Sequence, residues 1–462
     1  MSNFKVKKGQ KVANHDFTGT ATYFCHDFAK RSRTRLARAL GLVWLLLLAF
    51  NTYALAYDIP RVRPEAVGLS QDRLERLGQV MQNYCDREGA PGMVLLVARN
   101  GRIAYERGVG KFRLDKPEPM PVDAIFRIAS QSKAVTSVAV MMLMEEGRLL
   151  LDDPVSRYIP DFKETYVAVK AEGREVKGYS LVPARRPITI RDLLTHTAGI
   201  SYGDGPARDE YLQAGIHGWY LTDKNMTIGE VVKKLAKLPF DAQPGERFVY
   251  GYNTDILGYV VEVVSGQSLA EFVEKRITGP LGMKDTHFFL PETKASRLTP
   301  AYGLGEDGRI KMIEDPATSP YLYGPRKCYS GGAGLVSTAE DYARFLLMLQ
   351  NGGELGGTRI LSPKSVELMT SDHVGRLYSG GPVGFGLGFS IVKDLGASGI
   401  PGTVGAFGWG GAYFTTYWVD PVEKLTAVFM IQLLPVPSNL SDLQDKFRTL
   451  VYQSIVTSFE TR

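Results

Sequence analysis

Apolar residues recur at Leu74, Leu77, Val80, Met81 and Tyr84, a spacing that gathers them on one face of a helix over Gln71–Arg87. The period then changes. Gly92-Met-Val-Leu-Leu-Val-Ala is a continuous apolar run, Arg99-Asn-Gly-Arg has hairpin-turn chemistry, and Ile103-Ala-Tyr-Glu-Arg-Gly completes a pair of strands. From Phe126-Arg-Ile-Ala-Ser-Gln-Ser-Lys the chain runs into Ala134-Val-Thr-Ser-Val-Ala-Val-Met-Met-Leu-Met-Glu-Glu, which stops at Gly147. This reads as a long helix, apolar round most of its circumference and therefore central, with Ser130 in its first turn.

Between about Asp152 and Asp341 the pattern predicts helices broken by loops, at Ile190–Leu194, Thr227–Lys237, Thr254–Ser265 and Leu269–Ile277, with a hairpin over Tyr166–Val182. Beyond Ala339 a helix to Leu349 precedes Gly- and aromatic-rich strands at Val383–Val392, Gly411–Val419 and Leu425–Gln432, and a last helix spans Asn439 to about Ser458. The expected organisation is α+β: an α/β layer made by both chain ends, about 57–151 and 340–462, around a mainly helical insert of about 152–339.

Composition adds one correction to a first impression. The chain has 462 residues, 44% hydrophobic and 23% charged, as in ordinary globular proteins, with a formal net charge of +6. Residues 1–56 hold nine Lys or Arg against only Asp16 and Asp27, so the excess belongs to that leader and the remainder is close to neutral. A nucleic-acid partner therefore has no electrostatic support. The leader has the order of a secretory signal: a basic stretch Arg31–Arg38, an apolar run Ala39–Phe50, and the small-x-small site Ala54-Leu55-Ala56. The apolar run is 12 residues, short of the roughly 20 that span a bilayer. The expectation is cleavage near Ala56 and a periplasmic or secreted product without a stable membrane span; an uncleaved leader would instead make an anchor. Residues 1–30 have no assigned role. Of the three cysteines, Cys25 lies in the leader, and the pairing of Cys85 with Cys328 stays open.

Ser-x-x-Lys occurs three times, at Ser2/Lys5, Ser130/Lys133 and Ser390/Lys393. The first lies in the leader. The third sits in an alternating strand pattern that throws its two side chains to opposite faces. Only Ser130/Lys133 opens a helix, where three-residue spacing stacks both on one face. There a lysine whose pKa is lowered by burial can take the serine proton, and the helix N-terminus favours a developing oxyanion. His196 suggests a Ser-His-Asp triad, but no Gly-x-Ser-x-Gly elbow exists, and in Leu193-Leu-Thr-His-Thr-Ala-Gly a histidine is placed to bond the last carbonyls of a helix. No His-x-x-x-His or Glu-x-x-His cluster suggests a metal, and no cofactor is expected.

Five stretches in order extend the signal: Phe126-Arg-Ile-Ala-Ser-Gln-Ser-Lys, Ile188-Thr-Ile-Arg-Asp-Leu-Leu-Thr-His-Thr-Ala-Gly, Pro244-Gly-Glu-Arg-Phe-Val-Tyr, Gly279-Pro-Leu-Gly-Met-Lys-Asp-Thr and Gly331-Gly-Ala-Gly-Leu-Val-Ser-Thr. With them the chain resembles the class C β-lactamase, D-alanyl-D-alanine carboxypeptidase and esterase group of serine hydrolases, from about Leu69 to Thr457. The resemblance implies an antiparallel sheet flanked by helices and a third catalytic residue, Tyr250, sharing the nucleophile's proton with Lys133. Tyr252 stands where the family often has Asn as a substrate contact. Trp409-Gly410-Gly411 replaces the family's Lys-Thr-Gly or His-Thr-Gly triplet, and the N–H of Ala412 would complete an oxyanion hole with that of Ser130. Both substitutions resemble the esterase branch, so a small-molecule ester is the implied partner and acyl transfer a possible second outcome. A β-lactamase or D-alanyl-D-alanine carboxypeptidase is the alternative, with Arg326 the candidate to replace the lost cation. A non-catalytic binder is disfavoured by the intact Ser130, Lys133 and Tyr250. The oligomeric state is left open.

Overall fold

A computed structural model describes residues 57–170 and 178–459, so the expected signal leader and the cleavage site expected near Ala56 lie outside the described residues. Seven strands form one sheet: β1 (Met93–Arg99), β2 (Arg102–Val109), β3 (Val383–Phe385), β4 (Ser390–Val392), β5 (Phe407–Gly410), β6 (Thr416–Asp420) and β7 (Leu425–Met430). Their spatial order is β3-β4-β5-β6-β7-β1-β2, with every neighbouring pair antiparallel. The two chain ends meet where β1 pairs with β7, Leu96 opposite Val428. The expected antiparallel sheet flanked by helices is therefore present.

Alternation across β1 explains its unbroken apolar run. Val94, Leu96 and Ala98 pack with helices α2 (Ser132–Glu145), α3 (Asn253–Ser265) and α4 (Ala339–Gln350) in one core. Met93, Leu95 and Val97 pack on the other face with α1 (Gln71–Glu88) and α5 (Leu443–Gln453). A strand covered on both sides has no polar face to show in its sequence. The β1–β2 turn has Asn100 and Gly101 at φ 52° and 73°, the left-handed pair that Asn-Gly supplies cheaply.

Three predicted elements are corrected. The strand predicted over Val383–Val392 is a hairpin, because Gly388 at φ 101° and a bond from Gly386 N to Phe389 O (2.8 Å) turn the chain between β3 and β4. The strand predicted from Gly411 starts only at Thr416, since Gly411 N donates to Thr415 O (2.8 Å) and closes a tight turn after β5. The final helix is shortened to Leu443–Gln453, behind a separate turn at Ser438–Leu440. Cys85 and Cys328 are both free thiols. Among the described residues no single helix is long and apolar enough to cross a membrane.

At the far end of β1 the Arg99 guanidinium is fully buried against Glu423, 2.5 Å away, and also donates to the carbonyls of Val67 and Gly68. This one side chain ties the start of the domain to the β6–β7 turn. Glu423→Ala leaves that buried cation unpaired, and the expected loss is about 3–5 kcal/mol of unfolding free energy. Urea unfolding checks this; a loss below about 1 kcal/mol would show that the pair is dispensable.

Candidate active site

The turn Ala129–Gln131 delivers Ser130 to the start of α2. Ala129 sits at φ 42°, a left-handed conformation that costs an alanine energy and that the surrounding packing must impose. Ser130 keeps only 9% of its surface exposed.

One helical turn on, Lys133 is 2% exposed. Its Nζ donates to Ser130 Oγ (3.3 Å), Tyr202 Oη (3.0 Å) and Gly332 O (2.8 Å), which uses all three of its protons. The ammonium also lies 4.6 Å from the centre of the Tyr250 ring. The expected fall in its pKa is overturned. Burial does favour the neutral amine, but Tyr202, Tyr250 and the carboxylate of Asp255 together outweigh it and raise the pKa. Asp255 is itself buried, accepting from Ser330 Oγ (2.6 Å) and Gly332 N (3.1 Å). Desolvation pushes its carboxyl up against the pull of Lys133.

Ser130 opens into a cavity of about 360 Å³ lined by Tyr202, Trp219, Tyr250, Trp409, Gly410, Gly411 and Ala412. Trp409 Nε1 donates to Tyr250 Oη (3.1 Å), so the residue in the triplet position touches the tyrosine directly. The end of β5 reaches the Ser130 turn because Gly411 has no side chain: a Cβ there would lie 2.4 Å from Ile128 O and 2.4 Å from Thr415 Oγ1. The β5–β6 ladder ends at Gly410 paired with Thr416, so Ala412 lies past it, at the cavity wall.

The structure thus gathers Ser130, Lys133, Tyr250, Trp409, Gly410, Gly411 and Ala412. It does not bring Tyr252 to the cavity. That side chain is fully buried, and its hydroxyl is taken up by the carbonyls of Ile216 (2.5 Å) and Gly218 (2.6 Å). Arg326 lines a different cavity. His196 is buried at φ 55°, its Nδ1 2.9 Å from Asn253 Nδ2 and its ring 4.7 Å from that of Tyr250. Burial and the nearby Lys133 hold its pKa well below the usual value, so it is a neutral support behind Tyr250 and does not cap a helix with its ring. Ser390 Oγ donates to Gly408 O (2.8 Å) and Lys393 pairs with Asp372 (2.6 Å), so the third tetrad has separate structural uses.

Sequence reasoning missed Tyr202, Trp219, Gly332 and Asp255. Asp255 left a signal: a carboxylate within the apolar helix run Asn253-Thr-Asp-Ile-Leu-Gly-Tyr-Val-Val is rarely buried without a partner. Tyr202 left none, being one of 23 tyrosines in a loop with no periodicity.

Against this geometry, the family model described as Beta-lactamase matches residues 77–448. Protein Rv1367c of Mycobacterium tuberculosis is 35% identical over 374 residues, covering 77% of this chain and 89% of that protein. Esterase EstB of Burkholderia gladioli is 31% identical over 373 residues, covering 77% and 89%. Among solved structures, EstCE1, described as a hydrolase with promiscuous acyltransferase activity, superposes with a TM-score of 0.70 at 30% identity, covering 83% of this chain and 99% of that one.

Gly411→Ala sets a methyl against the Ile128 carbonyl, and relief requires moving β5 away from the Ser130 turn. The expected cost is about 1–3 kcal/mol, read as a lower urea midpoint at unchanged slope; a midpoint equal to the parent's would show that the strand end is not held there.

Proposed function

The chain belongs to the beta-lactamase family of serine hydrolases, and from that premise we propose that it is an exported ester hydrolase acting through an acyl-enzyme on Ser130, with acyl transfer to alcohols as a second outcome. The observation that carries the ester reading is the cavity wall: none of the residues lining it, Ser130 included, is an acidic or basic residue, and four of them are aromatic. A β-lactam or a peptide C-terminus brings a carboxylate that needs a cation, and Lys133 is sealed beneath Ser130 with its protons already engaged. The names of EstB, an esterase, and EstCE1, a hydrolase with acyltransferase activity, support the same reading. Export rests on the leader pattern Arg31–Arg38, Ala39–Phe50 and Ala54-Leu55-Ala56.

In this mechanism Ser130 Oγ attacks the ester carbonyl carbon and loses its proton. That proton passes to the Lys133–Tyr250 pair, which acts as the base when it holds one proton fewer than an ammonium plus a phenol, and it comes to rest on the Tyr250 oxygen. The Lys133 ammonium and the Trp409 N–H are placed to stabilise negative charge developing on the Tyr250 oxygen during the transfer. The carbonyl oxygen, now anionic, accepts from the N–H groups of Ser130 and Ala412. Collapse breaks the bond to the alkoxide oxygen, which takes the proton from Tyr250 and departs as an alcohol. Water then attacks the acyl-enzyme by the reverse route, releasing a carboxylic acid and restoring Ser130; a second alcohol in place of water gives a new ester.

Ser130→Ala is expected to abolish turnover of p-nitrophenyl butyrate with little change in stability, and residual activity within tenfold of the parent would exclude Ser130 as nucleophile. Lys133→Ala and Tyr250→Phe are each expected to lower kcat at least 100-fold, with the double variant little worse than either, because both act on one proton. Losses that multiply would mean that the two act separately.

Substrate choice is tested by comparing kcat/KM for p-nitrophenyl butyrate and a chromogenic cephalosporin on one preparation. The absent cation is expected to disfavour the carboxylate substrate by about 10- to 100-fold. Equal or higher efficiency on the cephalosporin would overturn the esterase assignment while leaving the serine hydrolase intact.

A further inference from the structure

Arg326 lies at a second cavity, of about 320 Å³, and we propose that this cavity binds small amphipathic carboxylates, an alkyl or aryl chain ending in a carboxylate. Its volume falls at the lower end of the range of small-molecule sites. Val273, Met283, Phe288, Phe289, Tyr329 and Leu335 supply apolar and aromatic walls, and none of the residues assigned to the Ser130 cavity lines it.

The polar groups are what select the head group. Arg326 and Lys284 are both exposed at this cavity, and among the described residues neither has a carboxylate within ion-pair distance. The Arg326 guanidinium stands 5.6 Å over the Phe289 ring. Among the described residues only its Nη1 has hydrogen-bond partners, the carbonyls of Leu290 (3.4 Å) and Leu322 (3.3 Å), so Nε and Nη2 remain as a fork of donors suited to a carboxylate. Glu274 is the one acid among the lining residues, and His287 is pushed down to about 4 by burial and is neutral at neutral pH. Two cations against one carboxylate leave the lining with an excess of positive charge.

Two backbone features mark the same place. Arg326 is at φ 56°, a left-handed arginine whose strain the neighbouring structure must maintain. The segment Glu274–Thr278 is a π-helical turn, closed by Gly279 N donating to Glu274 O (2.8 Å), and it forms one side of the cavity. Such turns widen a helix locally and occur often at ligand sites. Cavity, unpaired guanidinium, strained arginine and π turn are separate observations that coincide at one site, and none depends on what reacts at Ser130.

Isothermal titration with octanoate tests the proposal, using the full chain after fluorophosphonate labelling of Ser130 so that the catalytic cavity is closed. Octanoate is expected to bind, octan-1-ol at least tenfold more weakly, and Arg326→Gln to weaken octanoate at least tenfold. The variant should keep the parent's melting temperature and its rate of labelling at Ser130. No octanoate binding, equal binding of the alcohol, or undiminished binding by Arg326→Gln would each overturn the assignment.

Discussion

The buried ammonium of Lys133 sets the terms for everything around it. Moving a cation out of water costs several kcal/mol even after relaxation, and only close, well-aimed partners offset that cost. Here the partners come from four places far apart in sequence: Ser130 on the same turn, Tyr202 in a loop, Gly332 O in the Gly331–Gly334 stretch, and Asp255 on α3 as the nearby negative charge. The site therefore exists only when these segments are packed together. The glycines record how closely. A Cβ on Gly332 would lie 2.4 Å from Asp255 Oδ2, and one on Gly331 2.6 Å from Thr254 O. Small residues are needed there so that a carbonyl can reach the lysine and an N–H the aspartate.

A second constraint comes from the sheet. The Ser130 turn is strained at Ala129 and must be braced, and the brace is the chain just past β5, where Gly411 comes so close to the Ile128 carbonyl that a side chain would not fit. Ile128 N also donates to Leu335 O (3.1 Å), while Ser132 Oγ accepts from Leu335 N (3.0 Å), so the turn is gripped from two sides. This double grip positions the Ser130 hydroxyl at the cavity without relying on a mobile loop.

How much of this was legible follows from what kind of signal each part leaves. Helices α1 and α2 and the β1–β2 hairpin were readable because their periodicity and the Asn-Gly turn are local properties. The break between β3 and β4 and the late start of β6 were not, since both depend on turns whose glycines and aromatics also occur within strands. In the site, Ser130 and Lys133 share a helix turn and so share a motif. Tyr202 and Gly332 join them only through the tertiary fold, and no spacing announces them. Tyr252 was misplaced for the opposite reason: resemblance aligns a position, but here that side chain turns inward, where two carbonyls hold its hydroxyl. The pKa of Lys133 was misjudged because desolvation can be guessed from an apolar sequence, whereas the opposing phenols and carboxylate cannot.

The separation of charge from the cavity surface also bears on turnover. Under the proposed reaction, ester hydrolysis would end with a carboxylate beside Lys133, and a cation on the cavity wall would hold that product. Lys133 is already saturated by internal acceptors, and the wall above it offers aromatic rings and a tryptophan N–H engaged with Tyr250. An apolar wall favours the neutral ester over the anionic acid, because the anion loses more hydration on entering it. The same uncharged lining that would select esters on entry would therefore favour release of the acid, so that in the proposed reaction recognition and product departure are served by one property of the site.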